Sequence, residues 1–526
     1  MHGKKIALLL ALALVAFGAG TATAQKYGGV LKSVQRGNPP SLSIHEEATF
    51  NTNWPMSSQY NNLVYFHPLK PIESLDTVIP ELAESWSWSS DNKSLTFKLH
   101  RGVKWHDGKP FTAKDVKHTF DVVRGTSKAR LKLNPRRLWY GNVQDITTNG
   151  DYEVTFRLGR PQPSLVALLA SGYSPVYPAH VKPQDLRTTE LGTGPFVLTE
   201  YKRDQIIKVR KFKDYFVKGR PYLDGIDYII IRKKGTRIAA MISGQVDLNQ
   251  PTETDEQVYK QLKDIKEMDF NKTYLASNVN IIINNKQPPF NNPKLRRAVN
   301  MAINRYDYVK AVQPGYLVGG FLPPTPHGSW GIPADKLRSI PGYRDESVDK
   351  EAARKLMREL GYGPDNRFKV TVSSRSTANY VDAATWALGE LKQIYIDAEL
   401  EIVESGNWFG KVARRDFSIA LNATGAGVDD PDVTFVENFT CGSQRNYSDY
   451  CNPEVQKRFE EQSMMTDQKA RLAVVQEIEQ QLVEDVARVS LGFRVNYNAR
   501  RSFVKGIIGH NTNYSWARMQ EVWLDK

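Results

Sequence analysis

The residues best suited to chemistry in this chain stop short of every reactive pattern they approach. Gly102 to Lys109 resembles a phosphate-cradling loop, but the gap between Gly102 and Gly108 is one residue too long. Pro110 then stands where a Ser or Thr would hold magnesium. His45-Glu46-Glu47 opens like the helix of a zinc protease, yet position 49 is Thr, so the second imidazole is missing. No Gly-x-Ser-x-Gly elbow occurs. The nine His are scattered, and each reads more simply as a surface or core residue than as a catalyst. These residues predict no catalytic site, no metal site and no cofactor.

What remains is material for binding. Asn51-Thr52-Asn53-Trp54 and Tyr60-Asn61-Asn62 lie early, Trp408-Phe409 follows shortly after a Gly, and Asp429-Asp430-Pro431-Asp432 follows Gly425-Ala426-Gly427. Aromatic walls with a few carboxylates suit a cationic or amphiphilic solute. Asn53, Trp54, Trp408, Asp429 and Asp430 are therefore expected ligand contacts. Plainer readings stand beside these. The early segment also fits a buried helix start, and Asp-Pro-Asp favours a turn by itself; for the acids the two readings weigh the same.

Cys441 and Cys451 are the two cysteines, set in a stretch rich in Gly, Ser, Asn and Tyr. In an exported chain such a pair reads as one local disulfide. Export is expected from the N-terminus. Lys4 and Lys5, the apolar run Ile6 to Phe17, and Ala22-Thr23-Ala24 make the three parts of a cleavable signal over residues 1–24. The run is too short to span a bilayer comfortably, and no Cys near the cleavage site offers a lipid anchor. A soluble periplasmic protein is expected.

The elements that must position these residues change character along the chain. Leu95 to Leu99 and Tyr152 to Leu158 alternate apolar and polar residues as half-buried strands do, and Val103 to Trp105 continues that pattern. Thr112 with Asp115 is an N-cap pair for a helix running to about Val123. Val279 to Ile283 is a strongly apolar strand, and Asn292-Pro293 opens a helix. Beyond residue 280, helix and strand alternate: Asp349 to Leu360, Phe368 to Val372, Tyr380 to Ile394, Glu399 to Val403. That alternation predicts an α/β lobe. A chain of 526 residues also exceeds what one hydrophobic core holds, so two lobes are expected. The formal charge of +14 is spread among acids, its densest clusters being Arg232-Lys233-Lys234 and Arg136-Arg137; a solvated basic surface is the simplest reading. No nucleic-acid motif accompanies it.

From Pro80-Glu81-Leu82-Ala83-Glu84-Ser85-Trp86 through Gly102-Val103-Lys104-Trp105-His106-Asp107-Gly108 and Phe111-Thr112-Ala113-Lys114-Asp115-Val116, the sequence resembles the family 5 extracellular solute-binding proteins. These are the dipeptide, oligopeptide and nickel-chelate receptors of bacterial ABC importers. The match continues in Gly192-Thr193-Gly194-Pro195-Phe196, Asn292-Pro293-Lys294-Leu295-Arg296-Arg297-Ala298 and Cys451-Asn452-Pro453-Glu454. The resemblance implies a two-lobed periplasmic binding protein of the type II fold with an extra subdomain, closing on a ligand. The change of rhythm near residue 280 without a flexible linker predicts direct strand crossings, with the hinge near Val279–Ile283 and Leu491–Arg494. It implies a larger lobe from 25–279 and 490–526, its subdomain at about 71–190, and a smaller lobe over 280–489. It also implies a monomer that delivers its solute to permease subunits backed by ATPases, and a scaffold role for the segment around His106.

The sequence departs from the peptide binders at two places. They carry an Asp three residues before the equivalent of Asp430, to pair with a peptide amino group; this chain has Gly427, with Asp429 the nearest substitute. The dipeptide binders use an Arg for the peptide carboxylate on the helix around Tyr380 to Asp382. No Arg stands there, and Arg375 in the preceding loop becomes the candidate. A peptide is the leading ligand class by family frequency, with an opine, a sugar-like solute, a metal chelate or haem as alternatives of the same fold. A periplasmic hydrolase or peptide chaperone is the alternative of another class.

Overall fold

The computed structural model describes residues 25–526 except 48, 513 and 514, and except the side chains of 405 and 406. The expected signal peptide lies outside the described residues. No helix among the described residues is long and apolar enough to cross a membrane.

Two principal sheets organise the chain. The first has the strand order Val30–Gln35, Gly225–Ile230, Ile206–Lys211, Phe196–Lys202, with the first pair parallel and the rest antiparallel. Beside it an antiparallel sheet of Ala83–Trp88, Ser94–Leu99, Glu153–Leu158 and Val143–Thr148 forms the extra layer. Alternation puts Leu95, Phe97, Val154 and Phe156 on one buried face. The helix Ala113–Arg124 covers that face with Val116, Phe120 and Val123. It begins where the sequence places it, Thr112 and Asp115 forming a reciprocal capping box, and stops at Gly125 in the left-handed region. Val103 to Trp105 does not form a strand; Lys104 makes one isolated bridge to Pro110 around the Asp107-Gly108 turn. Pro110 and the tight turn leave too few backbone donors for a ladder.

The second principal sheet has the order Ile396–Val403, Phe368–Arg375, Ile419–Gly425, Thr273–Ile283, Val489–Asn496. Its first three strands are mutually parallel, connected by helices such as Ala378–Lys392; Thr273–Ile283 is antiparallel to both of its neighbours, Ile419–Gly425 and Val489–Asn496. One face packs Val279, Ile281, Leu421 and Leu491 against helices Pro293–Ala302, Glu346–Glu359 and Ala378–Lys392. Burying such a face contributes roughly 1.5–3 kcal/mol for each large apolar side chain. The chain crosses between the two groups of sheets twice. The crossings run from Met268–Asp269, paired with Arg500–Arg501, into Thr273, paired with Asn496. The larger core takes residues from both ends of the described chain: Leu31 shares a cluster with Val504, Trp516, Met519 and Leu524.

Cys441 and Cys451 form a disulfide across an irregular loop, their Cα atoms 4.8 Å apart. His106 is buried, its ring nitrogens 2.9 Å from Glu190 and 3.0 Å from the Gly194 carbonyl. It ties the turn between the strand Ser94–Leu99 and the helix Ala113–Arg124 to the Gly192–Pro195 loop.

Candidate functional site

In open sheets with parallel strands, ligands meet the carboxyl ends of those strands. In the smaller lobe these ends are Arg375, Val403 and Gly425; in the larger lobe Val30–Gln35 ends beside Arg36. The lobes are in contact here. Ser171 Oγ donates to the Gly427 carbonyl at 3.0 Å, Ser164 Oγ donates to Asp432 Oδ2 at 2.5 Å, and Asn511 Nδ2 donates to Asp429 Oδ2 at 2.8 Å. Val428 and Val433 join the core cluster of the larger lobe.

Arg375 is partly buried at this junction. Its Nη1 donates to Asn422 Oδ1 at 3.2 Å, and its guanidinium carbon lies 5.0 Å from the Phe409 ring centre and 5.2 Å from that of Tyr380. Its Nε is buried without a hydrogen-bond partner among the described residues. Among the described residues no carboxylate lies within ion-pair distance of it. Burial holds its pKa below the ordinary guanidinium value, with Tyr380 partly opposing the shift.

Asp429 and Asp430 share a tetrapeptide but not a role. Asp430 caps the helix Pro431–Phe439 by accepting from the Asp432 N–H. Its two oxygens accept from both Arg471 amino groups at 2.8 and 2.9 Å, a bidentate fork. Asp430 is thus engaged inside its own lobe, in keeping with turn and cap chemistry. Asp429 accepts instead from Ser329 Oγ at 3.2 Å and Asn511 Nδ2 at 2.8 Å, and it lines a small cavity with Asn278, Asn280, Thr424 and Arg488. Burial pushes its carboxyl up to about 7 against the Ser329 hydrogen bond, with the charges of Asp430 and Glu73 adding to the rise. Burial also brings Arg488 down to about 9.

The aromatic candidates are core residues here. Trp408 is fully buried, packed with Ile282, Val412, Phe417 and Ala420. Phe409 and Tyr447 stand edge-on to its ring. Its indole Nε1 has no hydrogen-bond partner among the described residues. Trp54 is also fully buried, flanked by Phe50, Tyr228 and Trp516, and donates to Ser33 Oγ at 3.2 Å. Asn53 Nδ2 donates to the Gly172 carbonyl at 2.9 Å, and its Oδ1 has no hydrogen-bond partner among the described residues. The structure therefore brings Arg375 and Asp429 to the junction between lobes, and it sets Trp54 and Trp408 behind its walls.

A model of the bacterial extracellular solute-binding proteins, family 5, matches residues 77–446. The chain belongs to that family. Over 460 residues, 82% of this chain and 84% of the relative, it is 24% identical to a probable di/tripeptide-binding protein of Pseudomonas aeruginosa. The fold is that of a periplasmic binding protein from Helicobacter pylori solved with the peptide STSA. The TM-score is 0.82 at 23% identity, with 95% of this chain and 99% of that one covered. An Agrobacterium tumefaciens binding protein solved with agropinic acid shares it too, at TM-score 0.79 and 22% identity, covering 95% and 99%. Members of this family are solute-binding receptors, and two α/β lobes are their common architecture.

Sequence reasoning missed two junction residues of the larger lobe, Trp139 and Tyr173, and the buried Arg136 that stacks against them. Arg136-Arg137 reads as solvated surface, yet Arg136 is 1% exposed. The usable signal was Trp139-Tyr140 close behind it: a basic residue beside two aromatics can stack instead of solvating.

Proposed function

We propose that this protein captures a small solute between its lobes outside the inner membrane and hands it to the permease of an ABC importer, without altering it. One observation carries the reading. At the carboxyl end of a parallel strand in the smaller lobe stands a largely buried guanidinium, Arg375, with no carboxylate within ion-pair distance among the described residues. A buried cation without a counter-ion is costly, and a ligand carrying negative charge would offset that cost. The names of its relatives make a peptide, or a solute of peptide size such as an opine, the ligand class. Asp429, Asn53 and the aromatic residues Trp54 and Trp408 then serve by shaping the walls.

The receptor is a monomer that opens and shuts about the two crossings near Thr273 and Asn496; the stretches expected to hinge, Val279–Ile283 and Leu491–Arg494, lie inside the smaller lobe's sheet, paired strand to strand. It reaches the periplasm by a cleavable signal over residues 1–24 and carries no cofactor. Native mass spectrometry of the protein taken from the periplasm tests this. A stoichiometric solute lost on mild denaturation, with X-ray scattering that shows compaction when the solute is returned, is the expected result. Turnover of a peptide or ester abolished by one substitution would replace the receptor with a hydrolase.

A further inference from the structure

The stretch 427–433 of the smaller lobe is the piece that the larger lobe covers. A Cβ on Gly427 would lie 2.9 Å from Trp139 Cη2 and 3.1 Å from both Ser171 Oγ and Tyr173 Cδ2, so the backbone there is pressed against the other lobe. Val428 and Val433 are buried in the larger lobe's core cluster, and Asp432 accepts from Ser164 of that lobe. Asp429 lies within this stretch.

The larger lobe reaches the Asp429 carboxyl through Asn511, on the returning C-terminal segment. The Asn511 N–H donates to the Pro71 carbonyl at 2.9 Å, its Oδ1 accepts from the Glu73 N–H at 3.0 Å, and its Nδ2 donates to Asp429 Oδ2 at 2.8 Å. The Glu73 carboxylate is buried in the same place, held by His510 Nδ1 at 2.9 Å and Thr512 Oγ1 at 2.8 Å. Parting the lobes here takes from Asp429 the Asn511 donor, the cover over its neighbours and the Glu73 charge that opposes its ionisation. Water replaces the donor; the burial and the charge have no replacement.

The remaining charges around Asp429 stay as they are. Asp430 is forked by Arg471, which lies 4.7 Å from the ring centre of Trp330, and Trp330 Nε1 donates to the Asp429 carbonyl. Arg488, on the same cavity, donates to Thr424 Oγ1, Asn438 Oδ1 and the Arg445 carbonyl, while Glu437 pairs with Arg445. His327, on the loop of Ser329, is exposed. Glu479 is buried against Phe321, Leu322 and Ile332 of its own lobe. On the opposite side Arg136 stacks on Tyr173, 3.5 Å from its ring centre.

Resting on the reading of this junction as the place where the lobes shut on a solute, we infer that shutting takes up a proton at Asp429. The shut, solute-holding form therefore gains as pH falls and loses as pH rises. In the shut form the carboxyl ionises at about 7, against an ordinary value of 3.8 once it is open to water. The advantage of the shut form is complete below the lower value and is lost as pH rises through the upper one. Between pH 6 and pH 8 the ratio of shut to open protein falls about tenfold.

The test uses the mature protein, both as purified and after carried solute has been removed by unfolding and refolding. X-ray scattering from pH 5 to pH 8 should give a wild-type radius of gyration that grows with pH. Asp429→Asn, which cannot ionise, should keep one radius throughout, and Glu479→Gln should respond as the wild type does. Gly427→Ala, held open by the Trp139 ring, supplies a second measurement should Asp429→Asn fold poorly. In potentiometric titration at pH 6 it should bind about one proton fewer than the wild type. Three results overturn the inference: a wild-type radius indifferent to pH in both preparations, an Asp429→Asn protein that changes as the wild type does, or equal proton counts in the wild type and an open Gly427→Ala. A solute carried from the periplasm leaves the receptor reading standing in each of those cases.

Discussion

Asp429 makes stability depend on pH in a direction opposite to that of most carboxylates. Its pKa stands at about 7 in the folded protein against 3.8 for the free group, raised chiefly by burial. Native protein therefore holds a proton that the unfolded chain has released across most of the range between those values. The contribution is fully present below 3.8 and is lost as pH rises through 7. From pH 5 to pH 7 the linkage for one such group amounts to about 2 kcal/mol of lost stability. Glu479, pushed to about 7 by burial against the N–H groups of Phe321, Leu322 and Ile332, adds a share of the same sign. Asp429→Asn removes one share and leaves the other. Urea unfolding at pH 5, 6 and 7 should give the wild type a midpoint that falls with pH, and the variant a slope shallower by about 2 kcal/mol over that span. Equal slopes in the two proteins would mean that Asp429 titrates normally and that its burial costs nothing.

The remaining expectations concern single contacts. Arg471→Met leaves Asp430 buried without its partner and should cost about 3–5 kcal/mol in chemical denaturation. Replacing Cys441 and Cys451 by Ser should cost about 2–3 kcal/mol on the loop-entropy account, measured against the wild type with and without reductant. Trp408→Ala should lower stability by about 3–5 kcal/mol, because a fully buried ring leaves a cavity behind; an unchanged midpoint would mean that the ring is not packed as described. Gly427→Ala should hold the lobes apart in solution scattering, since overpacking against Trp139 acts on the shut form alone.

Periodicity and capping made much of the fold legible. The capping box at Thr112, the Pro293 helix start and the apolar strand ending at Ile283 all stand where local residue chemistry puts them. The strand ending at Ile283 extends back to Thr273, because Ser277, Asn278 and Asn280 break the apolar run that would have announced its first half. The site was less legible, because a residue's side of a wall is set by packing between distant segments. Trp408 and Trp54 have the right type for a ligand wall, but fully buried neighbours surround both rings. Asp430 and Asp429 differ only in what arrives from elsewhere, Arg471 for one and Asn511 for the other. Nothing within the tetrapeptide tells them apart.

The shared cluster of Leu31 with Trp516, Met519 and Leu524 has a consequence for biosynthesis. The first residues of the larger core and their last partners leave the ribosome nearly 500 residues apart, and the Lys26 ammonium ends up 3.0 Å from the Lys526 carbonyl. Contacts of such separation carry a high closure entropy and form late. The sheet of Val30–Gln35 can gather its neighbours as translation proceeds, but its apolar floor stays open until residues 504–524 arrive. The smaller lobe, whose strands lie between 273 and 496, has no such wait. Synthesis thus leaves the floor of the larger lobe open until residues 504–524 have been made.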